Sequence, residues 1–267
     1  MSGPRRTYTT MAWAFLVAFT VLPIIALTTQ AVATRWFFPD LVPREWTLDA
    51  FRRLAGNSET RSALADSLVI GGAVTVVSMC LAIPAARALV IGRMPRARVF
   101  GLVFLLPAAL PPVAVAMGLE VFLLRIGVTG GLGAVVVAHL VATLPYAVLV
   151  FAAALTRYDT GYERQAAVLG AGQVRIVVRV FLPLATPAIL VTAVLTFVVS
   201  WSQYLLTLLP GGGRVVTLPV LLLGASGGGN PTAAAALALI TAVPPAIAIL
   251  LVVRHIDGLG QRTAPRG

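Results

Sequence analysis

The chain reads as an all-α integral membrane protein of six transmembrane helices, and three observations lead there. Apolar residues make up 59 % of its 267 residues and charged residues only 11 %, against about 25 % charged in soluble domains. The apolar residues fall in unbroken runs rather than at amphipathic spacing, and six runs approach the ~20 residues a helix needs to cross a ~30 Å hydrocarbon core. The alternating ~10-residue segments of a membrane β-barrel are missing. Helices are the expected form because lipid offers backbone N–H and C=O groups no partner outside the segment itself.

The expected spans are residues 10–31, 67–91, 99–119, 132–155, 187–209 and 231–253. The first follows Arg5 and Arg6; it is longer than the apolar core of a cleavable signal, so an uncleaved span is expected. A polar segment from Val32 to Leu64 follows, with Trp36, Phe37, Phe38 and Trp46 suited to anchoring at headgroup level. Within it, Thr47 ahead of Leu48, Asp49 and Ala50 marks a helix start, with Phe51 and Leu54 sharing a face. The basic turn IGRMPRARVFG joins the second span to the third, which Pro107, Pro111 and Pro112 are expected to bend or break. Glu120, near that span's far end, could meet a cationic substrate, though pairing with Arg125 is the favoured expectation, and His139 in the fourth span is expected to be a hydrogen-bonded packing residue. The single cysteine, Cys80, lies inside a span and reads as a small packing residue. The glycine-rich stretch PGGGRVVTLPVLLLGASGGGNP precedes the last span, and its apolar middle is too short to cross.

Arginine placement sets the expected orientation, for all 20 basic residues are arginine. With six spans both ends share a side, and that side carries thirteen arginines against Asp159, Glu163 and Asp257. The other side carries seven arginines against six acids. Basic residues gather on the cytoplasmic side of membrane proteins, so both termini are expected in the cytoplasm. The net charge of +11 is then a matter of topology, and nucleic acid is not an expected partner.

The segment YERQAAVLGAGQVRIVVRVFLP, Tyr162 to Pro183, interrupts the apolar runs within a loop spanning residues 156–186. Thr160 with Glu163 three residues on fits a capping box. A short helix follows, with Tyr162, Ala166 and Leu169 on one face, and Gly170 supplies its stop. A second helix is expected from about Gln173 to Leu182, with Pro183 leading into the fifth span.

These residues resemble the loop of the membrane subunits of bacterial binding-protein-dependent ATP-binding cassette importers, which reads as an EAA triplet, then a glycine, then an LP pair. Here Arg164-Gln165-Ala166 occupies the triplet, with Glu163 one place earlier, followed by Gly170-Ala171 and by Leu182-Pro183. The outside WTLDAFRRL, the Asp66-Ser67 entry to the second span, LPAALPP in the third and SWSQYLLTLL in the fifth also look like this family, so that the likeness runs from Trp46 to Val253. The resemblance implies a single transmembrane permease domain over residues 1–267, in a bacterial inner membrane. It implies that the loop, through Tyr162, Glu163, Arg164, Gln165, Ala166, Leu169, Gly170, Ala171, Leu182 and Pro183, forms a cytoplasmic coupling helix between spans four and five. The implied partners are separate ATP-binding subunits, a second permease subunit of the same or a different chain, and an extracytoplasmic substrate-binding protein. In overall pattern, including RWFFPDLVPREWTLDAFRRL, the chain looks most like polyamine permeases, so polyamines are one expected cargo, with the thiamine, ferric iron, sulfate-type anion or sugar cargoes of related permeases as open alternatives.

Polar side chains inside a span are costly and are candidates for a transport path; Ser200, Trp201, Ser202 and Gln203 are the expected path residues. A G-x-x-x-x-G-K-[ST] phosphate loop is impossible without lysine. No ATP hydrolysis and no cofactor are therefore expected of this chain, and ATP belongs to a partner. An ATP-independent secondary transporter or channel would often show an internal repeat, and none is evident in the sequence. An intramembrane serine hydrolase would build on Gly224-Ala225-Ser226-Gly227-Gly228 with His139 or His255, but that motif requires a strand–turn–helix setting.

Overall fold

A computed structural model describes residues 3–34, 36, 43, 45–92, 97–128 and 130–263. In chain order its elements are α1 (Gly3–Val32), β1 (Ala33–Thr34), β2 (Glu45–Trp46), α2 (Asp49–Gly56), α3 (Ser58–Val90), α4 (Ala97–Ala109), α5 (Pro112–Arg125) and α6 (Leu132–Leu155). Next come α7 (Gly161–Val168), α8 (Gln173–Ile176), a π-helical turn (Val177–Phe181), α9 (Leu182–Trp201), α10 (Leu205–Leu208), α11 (Leu218–Gly227) and α12 (Pro231–Thr263). Among the described residues five helices are long and apolar enough to cross a membrane, and α4 with α5 makes a sixth span if the bent pair counts as one.

Two expected spans differ in form. The third is two helices meeting at 90°, because Pro111 has φ −55° and ψ 131° ahead of Pro112, the extended backbone that a following proline ring enforces. The fifth, expected over 187–209, ends as a helix at Trp201 and unwinds before α10. The carbonyl of Val199 accepts from Ser202 Oγ at 2.9 Å and from Gln203 Nε2 at 3.2 Å, while the Gln203 N–H turns to Ser200 O. Side chains have taken the acceptor that the helix ladder needed. At its other end the same helical run begins at Gln173, well before the expected start. The last span likewise continues past residue 253, to Thr263.

The chain packs as two compact units, Met1–Arg61 with Leu221–Val243, and Ser62–Val220 with Pro244–Gly267. In the first, β1 and β2 pair antiparallel, Ala33 opposite Trp46. The Thr47 hydroxyl accepts the Asp49 N–H at 3.1 Å to start α2, as the sequence predicts. The Phe51–Leu54 face packs on Ala31, Ala50, Ala235 and Ala236. Trp13, Phe15 and Phe19 of α1 remain exposed, as suits a helix whose solvent is hydrocarbon. Of the expected aromatic anchor, Trp46 is exposed and Trp36 half-buried; Phe37 and Phe38 lie outside the described residues, as does much of the basic turn between spans two and three.

In the second unit α6 packs along α9. Fully buried Ala82, Ala86, Ala138 and Ala147 mark where helices approach, since without a hydrophobic drive in lipid, small residues allow the close contact that replaces it. Hydroxyls join helices across the apolar interior: Ser78 and Thr143 lie 3.1 Å apart. The Ser67 hydroxyl donates to Ala63 O and accepts the Leu218 N–H at 2.9 Å, fixing the start of α11. Ser67→Ala strands that buried N–H and is expected to cost about 1–3 kcal/mol, read as a lower melting temperature of the detergent-purified protein.

Candidate functional site

The loop joining α6 to α9 is built around one guanidinium. Arg87, in the last turn of α3, holds Glu163 of α7 in a two-pronged ion pair, with Nη1 to Oε1 at 2.8 Å and Nη2 to Oε2 at 2.5 Å. Their side chains are 23 % and 12 % exposed. The guanidinium lies 4.4 Å from the centre of the Phe181 ring, a favourable cation–π position. Tyr158 meets the same ring edge-on at 5.4 Å. Phe181 is fully buried among Ala86, Phe151, Leu155 and Ala185. The arrangement therefore ties the end of α3, the exit of α6, α7 and the π turn to one point.

The ion pair overrides the expected capping box. Thr160 makes no capping hydrogen bond; the α7 amide end is met instead by Asp159 Oδ1, which accepts the Gly161 N–H at 2.7 Å. Glu163 cannot reach back because its carboxylate is taken by Arg87. That bond holds the Glu163 carboxyl below its ordinary range, against the opposing effect of burial. Burial pushes the Tyr158 phenol up, with the nearby Glu163 carboxylate adding to it; its hydroxyl is enclosed without a partner at hydrogen-bonding geometry.

The stop at Gly170 is as expected. Ala171 N–H donates to Ala166 O and Gly170 N–H to Ala167 O, both at 3.0 Å, with Gly170 at φ +84°. This is the Schellman pattern. Beyond it, α8, the π turn and α9 form one helical run from Gln173 to Trp201. The π turn sits where Pro183 supplies no N–H and its ring would crowd the preceding turn; the Leu182 N–H bonds Val177 O five residues back.

Of the loop residues singled out by sequence, Tyr162, Arg164, Gln165, Leu169, Gly170 and Pro183 are exposed, and Glu163, Ala166, Ala171 and Leu182 half-buried. Arg87, Tyr158, Phe181 and Val168 were not singled out. The available signal for Arg87 was a lone arginine in an apolar run, which needs a partner.

The four expected path residues differ in burial. Ser200 and Trp201 are buried, Trp201 against Phe197, and Ser202 is exposed. Gln203 borders a cavity of about 140 Å³ beside Pro107, Pro112 and Tyr146. His139 packs as expected, Nδ1 2.9 Å from Ser200 Oγ and Nε2 3.0 Å from Thr207 Oγ1. Both its nitrogens are committed; Ser226 Oγ donates to Leu223 O at 2.7 Å within its own helix. The expected Glu120–Arg125 ion pair does not form among the described residues. Five residues apart on α5, the two side chains diverge, since only third and fourth neighbours share a helix face. Glu120 instead borders a cavity of about 130 Å³ with Arg214.

Residues 78–264, a stretch containing the whole loop, match the family model described as binding-protein-dependent transport system inner membrane component. The chain belongs to this family. It is thus a multi-pass inner-membrane permease subunit of an ABC importer, and it is a transport component rather than an enzyme. The molybdenum transport system permease protein ModB of Mycobacterium bovis is 31 % identical over 216 residues, covering 76 % of this chain and 77 % of that protein. The spermidine/putrescine transport system permease protein PotC of Haemophilus influenzae is 26 % identical over 217 residues, covering 78 % and 81 %. In fold, the permease is similar to a chain of a bacterial ABC transporter involved in the import of the acidic polysaccharide alginate, with a TM-score of 0.67 and 17 % identity, covering 95 % of this chain and 98 % of that one.

Two outcomes test the loop's construction. In Gly170→Ala a new Cβ meets nothing within 4 Å, so the expected cost is the left-handed backbone alone, about 1–2 kcal/mol, read as faster proteolysis of the loop with little change elsewhere. For Glu163, a carboxyl lowered by folding contributes stability above its unfolded value and loses it as pH falls through the folded one. The stability difference between the parent and Glu163→Gln is expected to be full at neutral pH. It should begin to shrink below the ordinary value of 4.5 and vanish at lower pH, followed by thermal unfolding across a pH series.

Proposed function

We propose that α7 is a cytoplasmic coupling helix on which a separate ATP-hydrolysing subunit docks, driving the spans of this permease between inward- and outward-open states. One observation supports this above the rest: the tip of the loop presents apolar side chains that nothing among the described residues covers. Val168 and Leu169 are each 87 % exposed, and Tyr162 and Val174 are also exposed. Arg164, Arg175 and Arg179 surround them, exposed and without an ion pair among the described residues, while the loop's Glu163 is turned inward. An apolar anchor ringed by charge is the usual make-up of a docking patch. The arginine asymmetry of the sequence supports a cytoplasmic position for it.

The permease would work with a second permease subunit, of the same or a different chain, and with an extracytoplasmic binding protein; the family's binding-protein dependence supports the latter. ATP would be bound by the docking subunit alone. For cargo, the likeness to a spermidine/putrescine permease supports polyamines; the likeness to a molybdenum permease supports an oxyanion. Cargo choice is assigned to the binding protein, and ATP hydrolysis by the reconstituted complex, stimulated by spermidine or by molybdate, separates the two.

Leu169→Asp with Val168→Asp is expected to lower co-purification of the ATPase subunit by roughly tenfold or more, as loss of an apolar hot spot does, without lowering the melting temperature of the isolated permease. Undiminished co-purification would sink the docking assignment.

A further inference from the structure

We infer that Arg87 is a positioning residue that makes α3 move with α7, so that displacement of the loop by a docked ATPase subunit reaches the second span as well as the fifth. This rests on the docking role proposed above. The fifth span needs no such device, because the loop's second half and α9 are one helical run from Gln173 to Trp201. The first half is differently placed. Helix α7 has no buried residue, so apolar packing gives it little purchase on α3. What joins them is the two-pronged contact of Arg87 with Glu163, 76 residues apart in sequence.

The geometry of that contact resists sliding. Two parallel N–H···O bonds fix both the separation and the angle of the partners, as a single ammonium contact cannot. The face of the guanidinium is held against Phe181, whose ring is buried and braced by Tyr158. Pulling Glu163 away therefore strips a partly buried cation of its counter-charge, a costly state. Since Arg87 is in the last turn of α3 and Glu163 in the first turn of α7, the pair transmits force from one helix terminus to another. Phe181 closes the circuit by bringing the π turn, and with it α9, to the same guanidinium.

The test places nitroxides at Ala88→Cys and Ala167→Cys, both exposed, in a Cys80→Ser background, with the full complex of permease, ATPase and binding protein in nanodiscs. With Arg87 present, the interspin distance is expected to be the same without nucleotide and after trapping with ATP and vanadate. In Arg87→Gln it should shift and broaden on trapping, while the ATPase subunit stays bound and binding-protein-stimulated hydrolysis falls. Arg87→Lys, which keeps the charge and loses the fork, should lie between. The exchanged pair Arg87→Glu with Glu163→Arg should restore the single distance. An unchanged distance in Arg87→Gln with the ATPase bound would overturn the transmission role alone. Failure of the ATPase to bind even the parent permease would overturn the docking role beneath it.

Discussion

The ion pair of Arg87 with Glu163 is the constraint on which the loop end of this permease depends. A charged side chain at the end of an apolar span is tolerated only when it has a partner or a route to water. Here the partner is supplied by a helix outside the spans, and the requirement to neutralise Arg87 decides where α7 lies. Much else follows from that placement. Glu163 is withdrawn from the helix start, so Asp159 takes over the Gly161 amide. The guanidinium then needs a surface for its face, and Phe181 provides it from the turn where the ladder widens ahead of Pro183. The outward side of the loop is left with arginines and uncovered apolar residues, which is what a partner protein would grip.

The second shaping influence is the solvent. In hydrocarbon, burial of apolar side chains does not favour helix association, and packing and polar contacts do that work. The alanine contacts along α3 and α6, the Ser78–Thr143 contact and the bonds of His139 to Ser200 and Thr207 are its visible result. The same solvent limits where helices can break. Both breaks in the spans occur where the freed backbone has a substitute: the prolines at 111 and 112 carry no N–H to strand, and the Val199 carbonyl is taken by Ser202 and Gln203. The cavity beside Gln203 adjoins Pro107 and Pro112 of the other break.

The local features of the loop were legible wherever one residue type suffices. Only glycine accepts φ +84° without strain, so Gly170 marked the helix end. The Thr160–Glu163 capping box misled because it is a local bond that a stronger distant one displaced. Glu120 with Arg125 misled for another reason, since proximity in sequence was read as proximity in space, and the helix turns them apart. Ser200, Trp201, Ser202 and Gln203 read as one polar group in sequence; the structure buries Ser200 and Trp201 and exposes Ser202 around the point where α9 ends.

By itself the sequence determined that the chain is a membrane protein, near where its spans lie, and which family it belongs to. Those properties follow from runs of apolar residues and from a few glycine and proline positions, whose effects reach no further than the next turn of chain. Only the tertiary structure decided that Arg87 of the second span and Glu163 of the loop are one unit, that His139 is spent on Ser200 and Thr207, and that Val168 and Leu169 are left bare. These are pairings across tens of residues, set by which helices lie side by side, and no local pattern encodes them.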